Sequence, residues 1–241
     1  MTDVENSAQA YAREGCIRVR GFLSPEVLRE VRERLAVYER DVVPNLPPGD
    51  RTFEADGKTV RNLWRMEQHD PYFKSLAERP EIRSLIATLL SGKPVLIAVE
   101  TFNKPAKIGS GVPPHQDNAY FCQAPPDVLT VWIAVDAATL ENGPIYYLKG
   151  SHLGGVLPHR PSGVAGNSMG LAQMPPRREG DEFCGTLGPG DAMIHHCQTI
   201  HWSAPNNTDR PRCGLLFVFR GAHTRPDPDL KARYDAARLA T

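Results

Sequence analysis

From Pro94 onward the chain is a succession of short apolar segments, rich in β-branched and aromatic residues, and this restricts the fold more than any other feature. The segments at 95–102, 128–135, 145–148, 192–196 and 213–219 read as strands. Glu141-Asn142-Gly143-Pro144 and Gly188-Pro189-Gly190-Asp191 separate them with residue types that reverse a chain. Before Pro94 the pattern is helical. Residues 8–14 read as a short helix leading into an alternating strand at 16–19. Ser24-Pro25-Glu26 then supplies a capping hydroxyl, a proline at the first helical position and an acid in the first turn. Val27, Leu28, Val31, Leu35 and Tyr38 follow at helical spacing, so one face of that helix packs on the core. Asp70-Pro71 opens another helix, which Arg79-Pro80 interrupts before a second piece runs to Leu90 and stops at Gly92.

Helices first and antiparallel-looking strands later give an α+β class. The expected architecture is one domain over 1–241, with an N-terminal helical buttress at about 1–93. Its core, at about 94–222, is a double-stranded β-helix (a cupin-like jelly roll). Two segments lack periodicity. Residues 45–61 read as a mobile loop, and 154–182 as an active-site lid or a disordered excursion.

Charge narrows the list of partners. Lys+Arg and Asp+Glu both count 28, so no basic excess points to nucleic acid or to an anionic membrane surface. No apolar stretch is long enough to span a bilayer, and the first residues show neither the basic region nor the apolar run of a signal peptide. Five cysteines, odd in number and without a C-x-x-C pair, read as reduced thiols and give a cytoplasmic expectation. A small molecule is the expected partner, and nothing in the sequence sets an oligomeric state.

Chemistry concentrates in Pro113-Pro114-His115-Gln116-Asp117-Asn118-Ala119-Tyr120-Phe121. In an extended segment His115 and Asp117 project to one face while Gln116 points away. An imidazole and a carboxylate side by side are two of the three ligands of a facial triad, which suits Fe(II) and leaves coordination positions open. For the third ligand His195, His196 and His201 compete. His201 is followed by Ser203 and, at the start of a strand, Arg212. A guanidinium fork there can hold the distal carboxylate of a dicarboxylate such as 2-oxoglutarate, with Ser203 adding a hydrogen bond. Arg210 competes with Arg212, although Pro211 assigns it to the preceding turn.

These pieces together resemble the phytanoyl-CoA dioxygenase family of Fe(II)- and 2-oxoglutarate-dependent oxygenases. They are the H-Q-D-x-x-Y-F run to Phe121, Glu141-Asn142-Gly143-Pro144 through Lys149-Gly150-Ser151-His152, Gly190-Asp191, and His201-x-Ser203-x-Pro205-Asn206 through Arg212. The resemblance covers about 95–220. It implies iron ligands at His115, Asp117 and His201, and a 2-oxoglutarate site at Arg212 and Ser203. It also implies further co-substrate contacts at Asn103 and Trp132, and use of O2 with release of succinate and CO2. Halogenating relatives lack the metal carboxylate; Asp117 is present, which favours hydroxylation of a small molecule. Epimerisation, desaturation and cyclisation remain as other outcomes. Lys149 stands where the family has proline, which puts a turn or a substrate contact there. Two readings from other classes stay open: a non-catalytic jelly-roll binding module, and a cupin-like isomerase or hydrolase using another divalent metal.

Overall fold

The computed structural model describes residues 3–239, with side chains from Asn6 onward; residues 1–2 and 240–241 of the expected domain lie outside the described residues. Two sheets, antiparallel throughout, form the frame. The long sheet runs in the order Cys16–Val19, Ala192–His196, Val128–Ala134, Arg212–Gly221, Pro94–Lys104, Val60–Leu63, Arg51–Phe53. The short sheet runs Glu182–Gly185, Ile145–Leu148, His201–Ser203, Val112–His115. Alternation gives the long sheet two different faces. Leu129, Val131, Ile133, Leu215, Phe217 and Phe219 pack into the main apolar core, whereas Thr130, Trp132, Arg212, Leu216 and Val218 line a cavity that the short sheet closes from the other side.

The N-terminal helices cover the apolar face. In the helix Pro25–Asp41 the Ser24 hydroxyl accepts from the Val27 amide at 3.3 Å, satisfying a first-turn donor. Leu28, Val31, Leu35 and Tyr38 then bury against the sheet, each contributing roughly 2 kcal/mol of apolar transfer. The Asp70 carboxylate caps the helix Pro71–Ala77 through the Tyr72 amide and also takes a bidentate bond from Arg34, tying two helices together. The helix Pro80–Leu89 completes the layer. Among the described residues no helix is long and apolar enough to cross a membrane.

Three regions differ from expectation. Residues 45–61 are not a free loop: Arg51–Phe53 and Val60–Leu63 pair as a hairpin at the end of the long sheet. The strands RTF and VRNL are short and mix charged and polar residues with apolar ones, so they leave no strand signal in sequence, and a buried Arg61–Glu54 ion pair fixes them in place. Within 154–182 lies a second hairpin, His159–Val164 with Asn167–Leu171, turning at Gly166 with φ 73°. Its tip packs on the first hairpin so closely that a Cβ on Gly166 would lie 2.1 Å from Asn62 Oδ1. Beyond the expected end of the core, Pro228–Leu239 forms a further helix with no buried residues.

Candidate active site

The pairing register of the short sheet sets two imidazoles together. His201 is the cross-strand partner of His115, and their ring centroids lie 4.1 Å apart. Asp117 reaches them by a bend. The strand ends at His115, and Asp117 takes helical dihedrals (φ −58°, ψ −36°) at the entry to the turn Asn118–Phe121. Extended alternation, the expectation from sequence, is thus not what brings His115 and Asp117 together.

Oδ1 of Asp117 lies 3.5 Å from Nε2 of His115 and 3.5 Å from Nε2 of His201. Each Nδ1 sits 2.9 Å from a backbone carbonyl, that of Pro113 or Thr199. A carbonyl only accepts, so each Nδ1 carries a proton and each Nε2 is the nitrogen turned toward Asp117. The Tyr120 hydroxyl donates to Oδ1 at 2.6 Å, and the Thr130 hydroxyl to Oδ2 at 3.1 Å. Burial alone would raise the Asp117 carboxyl, but His201, His115 and His195 outweigh it and hold the group well below the usual carboxylate range. Burial and the neighbouring His115 push His201 well below an ordinary imidazole. An ionised carboxylate and an imidazole free of its second proton are the states that metal coordination requires. The three ligand atoms lie within 4.8 Å of one another, which fits a single ion.

His195 and His196 part company because adjacent strand residues face opposite ways. His196 lies against Tyr11 and His152, outside the cavity. His195 faces inward, with Nε2 3.3 Å from Asp117 Oδ2 and Nδ1 3.4 Å from the Tyr147 hydroxyl. The geometry groups His201, rather than either of them, with His115 and Asp117.

Arg212 enters the same cavity from the start of its long strand. It is 3% exposed, its guanidinium stacks 4.8 Å over the Trp132 ring, and Nε and Nη1 have no hydrogen-bond partner among the described residues. Burial pushes its pKa down to about 10. A buried cation with orphaned donors is costly until an anion meets it. Gly214 makes room for the arrangement, since a Cβ there would lie 2.2 Å from the Trp132 indole. Ser203 is buried and lines the same cavity from the short sheet, and Arg210 is exposed, as expected of a turn residue.

Asn103 is a correction. Glu100 and Phe102 line the cavity, so Asn103, odd in the same strand, belongs to the opposite face beside its register partner Cys213, which packs against the main core. Lys149 is not among the cavity residues either; its amide bonds to the Asp181 carbonyl. Glu100, Thr130 and the roles of Tyr120 and His195 were not anticipated. Strand register reveals Glu100, Thr130 and His195, and sequence alone does not supply register; Tyr120 comes to Asp117 through the local turn Asn118–Phe121.

The cavity measures about 530 Å³ and takes walls from both sheets, from the two hairpins through Thr52 and Asn167, and from the C-terminal helix through Tyr234. A family model described as phytanoyl-CoA dioxygenase matches residues 11–214. Phytanoyl-CoA dioxygenase domain-containing protein 1 of Bos taurus is 31% identical over 189 residues, covering 76% of this chain and 63% of that protein. The probable alpha-ketoglutarate-dependent hypophosphite dioxygenase of Stutzerimonas stutzeri is 27% identical over 225 residues, covering 90% of this chain and 78% of that protein. Among solved structures, the epimerase SnoN in complex with Fe3+, alpha ketoglutarate and nogalamycin RO matches with a TM-score of 0.70 at 26% identity, covering 94% of this chain and 88% of that one. The chain spans about half to two thirds of the length of the mammalian relatives it matches.

Proposed function

Because this chain belongs to the phytanoyl-CoA dioxygenase family, we propose that it is an Fe(II)- and 2-oxoglutarate-dependent oxygenase that hydroxylates a small molecule, releasing succinate and CO2. One observation carries the reading. A carboxylate oxygen shared by two imidazoles at 3.5 Å opens on the same cavity as a buried arginine with two orphaned donors. His115, Asp117 and His201 hold the iron, and Arg212 with Ser203 receives the distal carboxylate of 2-oxoglutarate. Trp132 supports the guanidinium from below. When bound, Fe(II) and 2-oxoglutarate supply the activation of O2 and the oxidising power, with decarboxylation of the co-substrate. The protein contributes fixed ligand geometry and an aromatic enclosure, with Trp64, Phe102 and Trp202 limiting water around the site.

The two antiparallel sheets, with the cavity between them, support a double-stranded β-helix core within one catalytic domain. The five unpaired cysteines are in keeping with a reducing, cytoplasmic setting. The likeness to the epimerase favours epimerisation as the second outcome, since it shares the cofactors and differs in the fate of the substrate radical.

The test is an anaerobic absorption titration of metal-free protein with Fe(II) and then 2-oxoglutarate, repeated with Asp117→Ala and Arg212→Ala. The expected result is a weak visible charge-transfer band that either substitution removes or weakens. Iron binding without the band would overturn the 2-oxoglutarate reading in favour of a cupin-like isomerase or hydrolase. No metal binding would leave a non-catalytic module.

A further inference from the structure

On the proposed function, the charged groups of the cavity find partners with one exception. Asp117 faces the iron, Arg212 faces the co-substrate, and Arg65 is ion-paired with Asp50. Glu100 lines the same cavity, and among the described residues nothing hydrogen-bonds to its carboxylate. Its place is fixed by register: Glu100 lies opposite Leu216, which lies opposite Trp132, so all three share the inward face. The charges of Fe(II), Asp117, doubly ionised 2-oxoglutarate and Arg212 cancel. Once ionised, Glu100 therefore leaves the loaded cavity with one uncompensated negative charge.

We propose that Glu100 selects the substrate, and that the substrate is a small molecule carrying a basic nitrogen, held as an ammonium against the Glu100 carboxylate. The word substrate here rests on the oxygenase reading. An unpaired carboxylate in an enclosed site is unfavourable until a cation or a donor reaches it. Burial pushes the Glu100 carboxyl up to about 8, with Asp117 and Glu67 adding to the effect and Arg65 opposing it, so the group holds its proton in the empty cavity and a bound ammonium draws it into the ionised form. The surroundings suit a cation as well. Phe102 is two residues along on the same face and meets Trp64 edge to face at 5.3 Å, and aromatic faces attract ammonium groups. Three other arginines that could attract an anion are engaged elsewhere: Arg61 with Glu54, Arg51 with the Val43 carbonyl, Arg177 with Glu182.

The chain carries its own reporter, because its three tryptophans, Trp64, Trp132 and Trp202, all line the cavity. The experiment titrates the full chain with cyclohexylamine and with cyclohexanol at neutral pH, following tryptophan fluorescence, in wild type and in Glu100→Gln. The amine is expected to bind about tenfold more tightly than the alcohol, and Glu100→Gln to erase the difference at unchanged melting temperature. Equal affinities, no saturable response to the amine, or a preference that survives in Glu100→Gln would each overturn the proposal. A parallel 2-oxoglutarate titration of wild type and Arg212→Ala reports on the oxygenase reading. If 2-oxoglutarate fails to bind, that reading falls, while the amine titration still decides whether Glu100 recognises a cation.

Discussion

His195 contacts Asp117 on the oxygen that His115 and His201 leave alone: its Nε2 lies 3.3 Å from Oδ2, while both other imidazoles face Oδ1. Thr130 donates to Oδ2 as well, so the carboxylate is held from behind with Oδ1 turned toward the two histidines. Groups that orient a metal ligand typically contribute 10–100-fold in affinity. His195→Phe keeps a planar ring and removes the contact. Its Fe(II) affinity, measured by competition with a chelating dye, is expected to fall by about tenfold or more with the far-ultraviolet circular dichroism unchanged. Wild-type affinity would show that Thr130 and Tyr120 orient the carboxylate without help.

Gly214→Ala tests the support beneath Arg212. The new Cβ meets the Trp132 indole at 2.2 Å, and the ring must move out from under the guanidinium. Overpacking of this kind costs about 1–3 kcal/mol, which thermal denaturation would register. Affinity for 2-oxoglutarate is expected to fall alongside it. Arg212→Lys, by contrast, is expected to retain stability and lose affinity, because an ammonium lacks the fork that engages both carboxylate oxygens.

The Arg61–Glu54 pair is buried, and the Ser110 amide and hydroxyl also donate to Glu54. Glu54→Ala would strand a guanidinium among groups that cannot compensate it, at about 3–5 kcal/mol. Arg61→Met combined with Glu54→Leu removes both charges and is expected to recover most of that loss in urea denaturation. A Glu54→Ala protein of wild-type stability would refute this account of the hairpin.

Acid sensitivity is expected at His196. Burial, with His152 and His195 adding to it, lowers its pKa to about 4 from an ordinary 6.5. Between those values the unfolded chain binds a proton that the folded one refuses. Stability is therefore complete above pH 6.5 and declines as the pH falls through 4, by up to about 3 kcal/mol. The melting temperature of His196→Gln should fall less steeply between pH 6.5 and 4 than that of wild type.

Much of this was legible in sequence. Ser24-Pro25 and Asp70-Pro71 announced their helices because capping is a local property, and the strands Ile145–Leu148 and Ala192–His196 appear at their expected limits because their apolar runs are continuous. His115, Asp117, His201 and Arg212 converge because each stood in a recognisable local context. Asn103 failed for the opposite reason: its face depends on where Pro94–Lys104 pairs with Arg212–Gly221, a relationship between residues more than a hundred positions apart. The two hairpins were invisible because their strands, RTF, VRNL, HRPSGV and NSMGL, mix charged and polar residues or glycine with few apolar ones and so show no continuous apolar run.

Those hairpins divide the molecule's labour in a way that bears on how such a chain diversifies. The groups assigned to iron and co-substrate ride on paired strands of the two sheets or on the turn that directly follows one, where a one-residue slip would reverse every side chain. The mouth is built instead from the two hairpins and their tips, with Gly166 at the tip of the second set against Asn62 in a strand of the first, and from a helix with nothing buried. Insertions or exchanges at those tips alter the shape of the entrance while the register beneath stays intact. New substrates can therefore be explored by lengthening or shortening two tips, with the oxidative machinery inherited unchanged.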